Sequence, residues 1–392
     1  MAAGYSFTTL ESIIASGEHD PASLGGRNFA NRDYRVSFRC VADNPPPVDD
    51  VAALLPLDGY ARLETGYRNA MRTPGYLANG IFTFEDYGFF DACAQPIHIG
   101  RREALMGEPI CWGIDFADWH ARTHNLADIL DKSTGYLDQL MQKLRNQTVS
   151  GSAIVLSAPG QEIYGHWLLD VVPRLWTLNQ AGHTTEPILF QGLPEWASYF
   201  LDIFDIDPAR LRRHPASLFR VERALVPSAS KSGFRLGTAS LSAALAQVLD
   251  AHKPVEVPPK LVGEKIFFSR RKLAHSSRRS VVNIYAVEAE AARRGYHIVA
   301  PESLSVAQQI ELMKTARIVV GEDGSALHNI VFAPKGAGLG VLNLPGRDNL
   351  WHLGLCQMLG HKAAYLDLPA DPEWPLDLGR FNQLLDALEN PL

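Results

Sequence analysis

Apolar positions along this chain fall into two regimes. From Ala153 onward, short apolar runs alternate with stretches of helical periodicity. Ala153-Ile154-Val155-Leu156 reads as a strand, followed by a helix over 166–180 that Gly182 would cap. Pro187-Ile188-Leu189-Phe190 reads as the next strand, then a helix over 195–204, a strand over 221–226 and a helix over 238–251. The alternation pauses over 253–263, where Pro254, Pro258 and Pro259 mark a stiff connection. It restarts with strand 265–268, helix 281–294 with Gly295 behind it, and strand 297–300, then a helix opened by Ser305 with Gln308 as capping box. Strand 317–320, a short helix over 326–332, strand 339–344, helix 350–359 and strand 364–366 complete the series. Such strands with intervening helices predict a doubly wound parallel sheet.

Up to residue 150 the pattern is irregular. Asn44-Pro45-Pro46-Pro47 is a loop, and residues 81–90, rich in aromatics and glycine, suggest short strands or hairpins. The expected fold is α/β, with two Rossmann-like domains facing a cleft and ligand at the carboxyl ends of the strands. The N-terminal domain would span 1–252, irregular to 150 and α/β from 151. The linker is 253–263, the C-terminal α/β domain 264–370, and 371–392 a tail expected to pack back on the N-terminal domain.

Length supports two domains, since 392 residues exceed one ordinary core. Hydrophobic residues at 46% and charged residues at 20% describe a folded globular chain rather than a disordered one. A formal net charge of -6 argues against a nucleic-acid partner, which calls for an excess of Lys and Arg. No run approaches the roughly 20 apolar residues of a membrane span, and residues 1–11 lack the order of a signal peptide, so a cytoplasmic location is expected. Cys40, Cys93, Cys111 and Cys356 are too scattered for a zinc site or a disulfide framework. The sequon at Asn146 carries no weight in a cytoplasmic protein.

Three segments could carry chemistry. After strand 317–320 come Gly321, Glu322, Asp323, Gly324, Ser325, Ala326, Leu327, His328 and Asn329. Glycines and a serine where a helix begins offer free N–H groups to a diphosphate, although such glycines often serve turn geometry alone, and two carboxylates would repel a phosphate laid on them. Ser269, Arg270, Arg271 and Lys272 follow strand 265–268, where a doubly wound sheet binds ligands. Arginine grips phosphate oxygens in pairs, whereas a charge run is more often a solvated loop. Finally, His166, Asp170 and Arg174 recur every fourth residue on an otherwise apolar helix. They either satisfy one another as a structural network or face a ligand, where His166 or Asp170 could act as general base. Pro173 would kink that helix or mark a new start.

Taken in order, His166-Trp167-Leu168-Leu169-Asp170 with Pro173-Arg174, Ser269-Arg270-Arg271, Pro301-Glu302-Ser303-Leu304-Ser305, and residues 321–329 followed by Phe332-Ala333-Pro334 resemble glycosyltransferase family 61. That family includes bacterial capsule and exopolysaccharide enzymes and eukaryotic xylosyl- and N-acetylglucosaminyltransferases. The likeness covers about 151–368. It implies the two-domain GT-B arrangement, an inverting reaction, no cofactor or catalytic metal, and a nucleotide-sugar donor held mainly by the C-terminal domain. By this resemblance His166, Asp170 and Arg174 are the catalytic candidates. Ser269, Arg270, Arg271, Glu302, Gly321, Asp323, Gly324, Ser325, Ala326, Leu327 and Asn329 are the donor-binding candidates. Asp323 stands where many members carry His, and it is expected to orient Arg270 or Arg271 or to accept a donor hydroxyl.

The implied reaction is transfer of a sugar to a hydroxyl of a glycan or lipid-linked glycan in polysaccharide biosynthesis. A lipid-linked acceptor would bring peripheral contact with the inner face of the membrane. Residues 1–150 would shape the acceptor side. The alternative is a non-catalytic nucleotide- or glycan-binding protein of a biosynthetic complex. A hydrolase or phosphotransferase ranks last, since no metal set or phosphate loop is present.

Overall fold

Two sheets organise the chain, each with its own core, in the computed structural model. It describes residues 6–22, 27–43, 51, 53–57, 59–72, 78–90, 95–98, 103–106, 147–156, 160–215, 218–229, 236, 238–273, 281–344, 348–371 and 374–390. The loop at 44–47, Pro159, Cys93, Cys111 and Asn146 lie outside these. Contacts divide the chain into a first unit of Met1–Pro46, Gly75–Gly233 and Thr238–Ala244, and a second of Pro47–Pro74, Phe234–Gly237 and Leu245–Leu392.

The first unit's strands, among the described residues, are β1 (Ser6–Thr9), β2 (Glu18–His19), β3 (Phe29–Asn31), β4 (Val36–Asp43), β5 (Ala78–Phe90), β6 (Gln95–His98), β7 (Glu103–Met106), β8 (Thr148–Val155), β9 (Ile188–Phe190), β10 (Leu211–Arg213) and β11 (Leu218–Pro227). Strands β11, β8, β9 and β10 lie side by side and parallel, the α/β half expected from the periodicity. Because β8 leads to β9 on one flank while β11 lies on the other, the strand order reverses beside β8. The same sheet then continues antiparallel through β5, so the unit is not a purely parallel Rossmann sheet. Residues 81–90 are likewise not short hairpins but part of one 13-residue strand, paired with β11, β4 and β6. Its aromatics explain the length: Phe82, Phe84, Tyr87 and Phe89 are buried with Phe38 and Phe219 in one core. Burying them outweighs the local turn signals of Gly80, Asp86 and Gly88.

The second unit carries β12 (Lys265–Phe268), β13 (His297–Val299), β14 (Ile318–Glu322), β15 (Gly338–Asn343) and β16 (Lys362–Asp367). Their order is β13-β12-β14-β15-β16, every pair parallel. In chain order this is 2-1-3-4-5, a doubly wound sheet whose switch point falls between β12 and β14. Phe267, Val320, Leu342 and Ala364 meet Val287 and Ala291 of helix Ile284–Arg293 in its core. The capping box at Ser305 and Gln308 is present, and Gly295 takes φ 85 behind its helix.

Three sequence assignments change here. The tail expected to return to the N-terminal domain forms helix Leu378–Glu389, whose Phe381, Leu384, Leu385 and Leu388 fill the second unit's core. Arg294 fastens it through Asp386 at 2.6 Å and Glu389 at 2.5 Å. Residues 253–263 lie against the second unit rather than standing as a separate strut: the His297 ring bonds the Lys260 carbonyl at 2.8 Å, and Gln308 donates to the Glu256 carbonyl at 3.1 Å. Part of the assigned first domain also builds the second unit, since Leu55 N–H donates to the Ala363 carbonyl at 2.8 Å beside β16. Among the described residues no helix is long and apolar enough to cross a membrane.

Candidate functional site

In the first unit the catalytic candidates His166, Asp170 and Arg174 follow the carboxyl end of β8, the strand beside which the order reverses. Helix runs from Tyr164 to Gln180, with a π-helical turn over Trp167–Val171 and Pro173 in the first turn of Val172–Gln180. Pro173, which has no N–H to give the preceding turn, falls just after the π-helical turn. Single π turns are frequent at functional positions.

His166 Nδ1 lies 3.3 Å from Asp170 Oδ2. Asp170 and Arg174 are buried, at 1% and 0% exposure, whereas the His166 side chain keeps 16%. The polar face therefore has one member that reaches solvent, backed by a buried carboxylate. Gly160 makes room for it: at φ 67, a Cβ there would stand 2.9 Å from His166 Cδ2. Trp167 packs below, its ring 5.6 Å from Trp196, which also meets Tyr164 at 5.5 Å. Burial raises the Tyr164 phenol well above its ordinary pKa, so that it stays protonated.

In the second unit, two of the three segments come together at the switch point. Phe268, the last residue of β12, is paired with Gly321 of β14, so the chain leaves the sheet at Ser269 and at Asp323 side by side. A Cβ on Gly321 would fall 2.8 Å from the Phe268 carbonyl oxygen, which is why glycine stands there. Past β14 the 3-10 helix Ser325–Phe332 begins, with Gly324 before it. A Cβ on Gly324 would lie 2.2 Å from Arg270 Nη1, so this glycine lets a guanidinium rest against the start of that helix. Arg270, Gly324, Ser325 and Ala326 are all partly exposed.

The two acidic residues of the segment are accounted for differently than their sequence position suggests. Glu322 belongs to β14, is 2% exposed, and accepts the N–H of Val281 at 2.7 Å and of Arg270 at 3.2 Å. Burial raises its pKa, opposed by those two N–H donors. Asp323, expected to orient Arg270 or Arg271 or to accept a donor hydroxyl, receives Asn349 Nδ2 at 2.8 Å and His352 Nε2 at 3.0 Å on Oδ1.

The remaining candidates separate by burial. Arg271 pairs with Glu288 at 3.3 Å and lies over the Tyr285 ring at 4.9 Å, while Ser269 Oγ donates to Glu288 at 2.5 Å. Leu327 and Asn329 are buried, and Asn329 ties its helix to Gln309 at 2.8 Å. Glu302 is exposed in the turn Pro301–Ser303 beyond β13. Sequence reasoning missed Gly160, Glu288, Asn349 and His352. His352 carried a usable signal, one of two polar residues, with Gln357, in an otherwise apolar helix, Trp351–Leu359. A depression of about 300 Å³ lined by Pro56, Leu57, Tyr365, Arg380 and Gln383 contains none of the candidates. Among the described residues no group of three or more His, Cys, Asp or Glu could hold a metal ion.

Residues 164–340 match the family model Glycosyltransferase 61. The matched stretch begins at the His166 helix and ends within β15, spanning both clusters, and it supports a glycosyltransferase. No curated protein matches the chain.

Proposed function

We propose that the protein is an inverting, metal-independent glycosyltransferase of polysaccharide biosynthesis. It moves a sugar from a nucleotide-sugar donor to a hydroxyl of a glycan or lipid-linked glycan, in the cytoplasm or at the inner face of the membrane. The observation that carries this reading is Arg270 lying against Gly324 at the β12/β14 switch point, beside the start of helix Ser325–Phe332. A guanidinium and free N–H groups at one strand end suit a diphosphate.

His166 is the base in this reading and Asp170 its orienting partner, because only His166 of the pair reaches solvent. Asp170 accepts from Nδ1–H and leaves Nε2 as proton acceptor. The acceptor oxygen forms the new bond to the anomeric carbon as its proton passes to Nε2. The bond from that carbon to the diphosphate breaks, and the electron pair leaves on the phosphate oxygen, where Arg270 and the helix start stabilise it. Arg174 is fully buried and is given no contact with substrate in this reading. Arg271, already paired with Glu288, contributes less than Arg270.

The test is thermal unfolding of the purified protein with UDP, GDP, ADP and CDP, with and without chelator. Ligand at 100 times its dissociation constant stabilises by about 2.7 kcal/mol. The reading expects a shift for one nucleotide class that chelator leaves intact, Arg270→Ala abolishes and Arg271→Ala largely retains. No shift with any nucleotide would remove its support.

A further inference from the structure

Asp323 poses a physical problem for the anion site. Its carboxylate lies one residue before Gly324, against which Arg270 rests, and a unit negative charge there opposes any phosphate held at Ser325. Yet Asp323 is 2% exposed and one of its oxygens, Oδ1, takes two donors from a distant part of the chain. Asn349 Nδ2 lies at 2.8 Å and His352 Nε2 at 3.0 Å. Both donors are themselves fixed. Tyr365 Oη donates to the Asn349 carbonyl at 3.0 Å, and His352 is wholly buried beside the His328 ring, 5.0 Å away. The Asp323 N–H donates to the Leu342 carbonyl at 3.0 Å, so the backbone at this point is also anchored to β15.

Resting on the donor-site reading above, we propose that His352 and Asn349 screen Asp323. They hold its carboxylate inside the protein and offset its charge, leaving the neighbouring Arg270 and helix start with a net positive field for the leaving diphosphate. His352 is thus a positioning residue, acting through Asp323 without touching the ligand. A carboxylate used to contact the ligand would behave oppositely, because removing it would weaken binding.

A double-mutant cycle separates these cases, read as the dissociation constant of whichever of UDP, GDP, ADP or CDP binds, and of inorganic diphosphate. His352→Leu should weaken binding about ten-fold by unmasking the charge. Asp323→Asn should bind at least as tightly as wild type. The double variant should return to within about two-fold of wild type, a coupling that a purely structural loss would not produce. An unchanged affinity in His352→Leu, or a double variant as weak as His352→Leu, would overturn the proposal. Should His352→Leu not fold, Asp323→Asn alone decides: a large loss of affinity would make Asp323 a ligand contact instead. If wild type binds none of these anions, the donor-site reading itself falls, and the screening role with it.

Discussion

Gly321 in β14 and Gly324 just beyond that strand should fail in opposite ways when replaced by alanine. Gly324 has φ 166, extended backbone that alanine adopts freely, and its Cβ would meet only Arg270 Nη1 at 2.2 Å and Cζ at 3.4 Å before the Glu322 carbonyl at 3.9 Å. A flexible guanidinium can move, so Gly324→Ala should change stability by less than about 0.5 kcal/mol. Ordinary contact distance requires the guanidinium to shift by about 1 Å or more. A charge-assisted hydrogen bond broken by that shift contributes about 1.5–3 kcal/mol, so diphosphate affinity should fall about 10- to 100-fold. Gly321 faces backbone instead: its Cβ would stand 2.8 Å from the Phe268 carbonyl oxygen and 3.2 Å from Leu327 Cδ2. Neither can yield cheaply, and overpacking of this kind costs about 1–3 kcal/mol, which lowers the melting temperature by roughly 2–12 °C. Thermal unfolding and titration calorimetry with the bound nucleoside diphosphate read both effects. Wild-type affinity in Gly324→Ala, or equal melting losses in the two variants, would refute the assignment of Arg270 to the anion site.

Leu388→Ala should destabilise by about 2–5 kcal/mol, because its side chain is 5% exposed and packs against Gly338 and Gly340. An unchanged denaturation midpoint would show that the C-terminal helix is dispensable to the second core. Acid should weaken the protein through His214 and His361, which burial holds down to about 4 from 6.5. Their unfolded forms bind protons first, so stability is full above pH 6.5 and is lost as pH falls from 6.5 towards 4, by about 2 kcal/mol each at pH 5. Urea titrations at pH 7.5 and 5.0 test this, and a His361→Phe variant should show a shallower loss; stability that rises on acidification would contradict the sign.

Local periodicity carried most of the second unit. The strand end at Phe268, the capping box at Ser305 and the turn at Gly295 are each written within a few residues, by apolar runs or by a backbone that needs glycine. Arg270 meets Gly324 because adjacent parallel strands deliver their carboxyl ends to the same place, a neighbourhood set by the strand order. What stayed hidden depends on partners far along the chain. Asp323 finds Asn349 and His352 only after β15 has been laid beside β14, and nothing near Asp323 announces them. Glu322 looked like a phosphate's neighbour until the strand was seen to run on and turn it inward onto Val281. The long β5 was masked by its own glycines, since its aromatics are buried only once Phe38 and Phe219 of other strands close over them. The C-terminal helix did carry a local signal, Phe381, Leu384, Leu385 and Leu388 at helical spacing, but periodicity does not say which core receives the apolar face.

Release of nucleoside diphosphate from a panel of nucleotide sugars, with and without oligosaccharide acceptors, tests the central claim most directly in wild type and His166→Ala. The account predicts acceptor-dependent release from one donor by wild type, and a fall of at least about 100-fold in His166→Ala with donor affinity retained. Full turnover in His166→Ala, or a wild-type protein that binds the donor and neither transfers nor hydrolyses it, would contradict it.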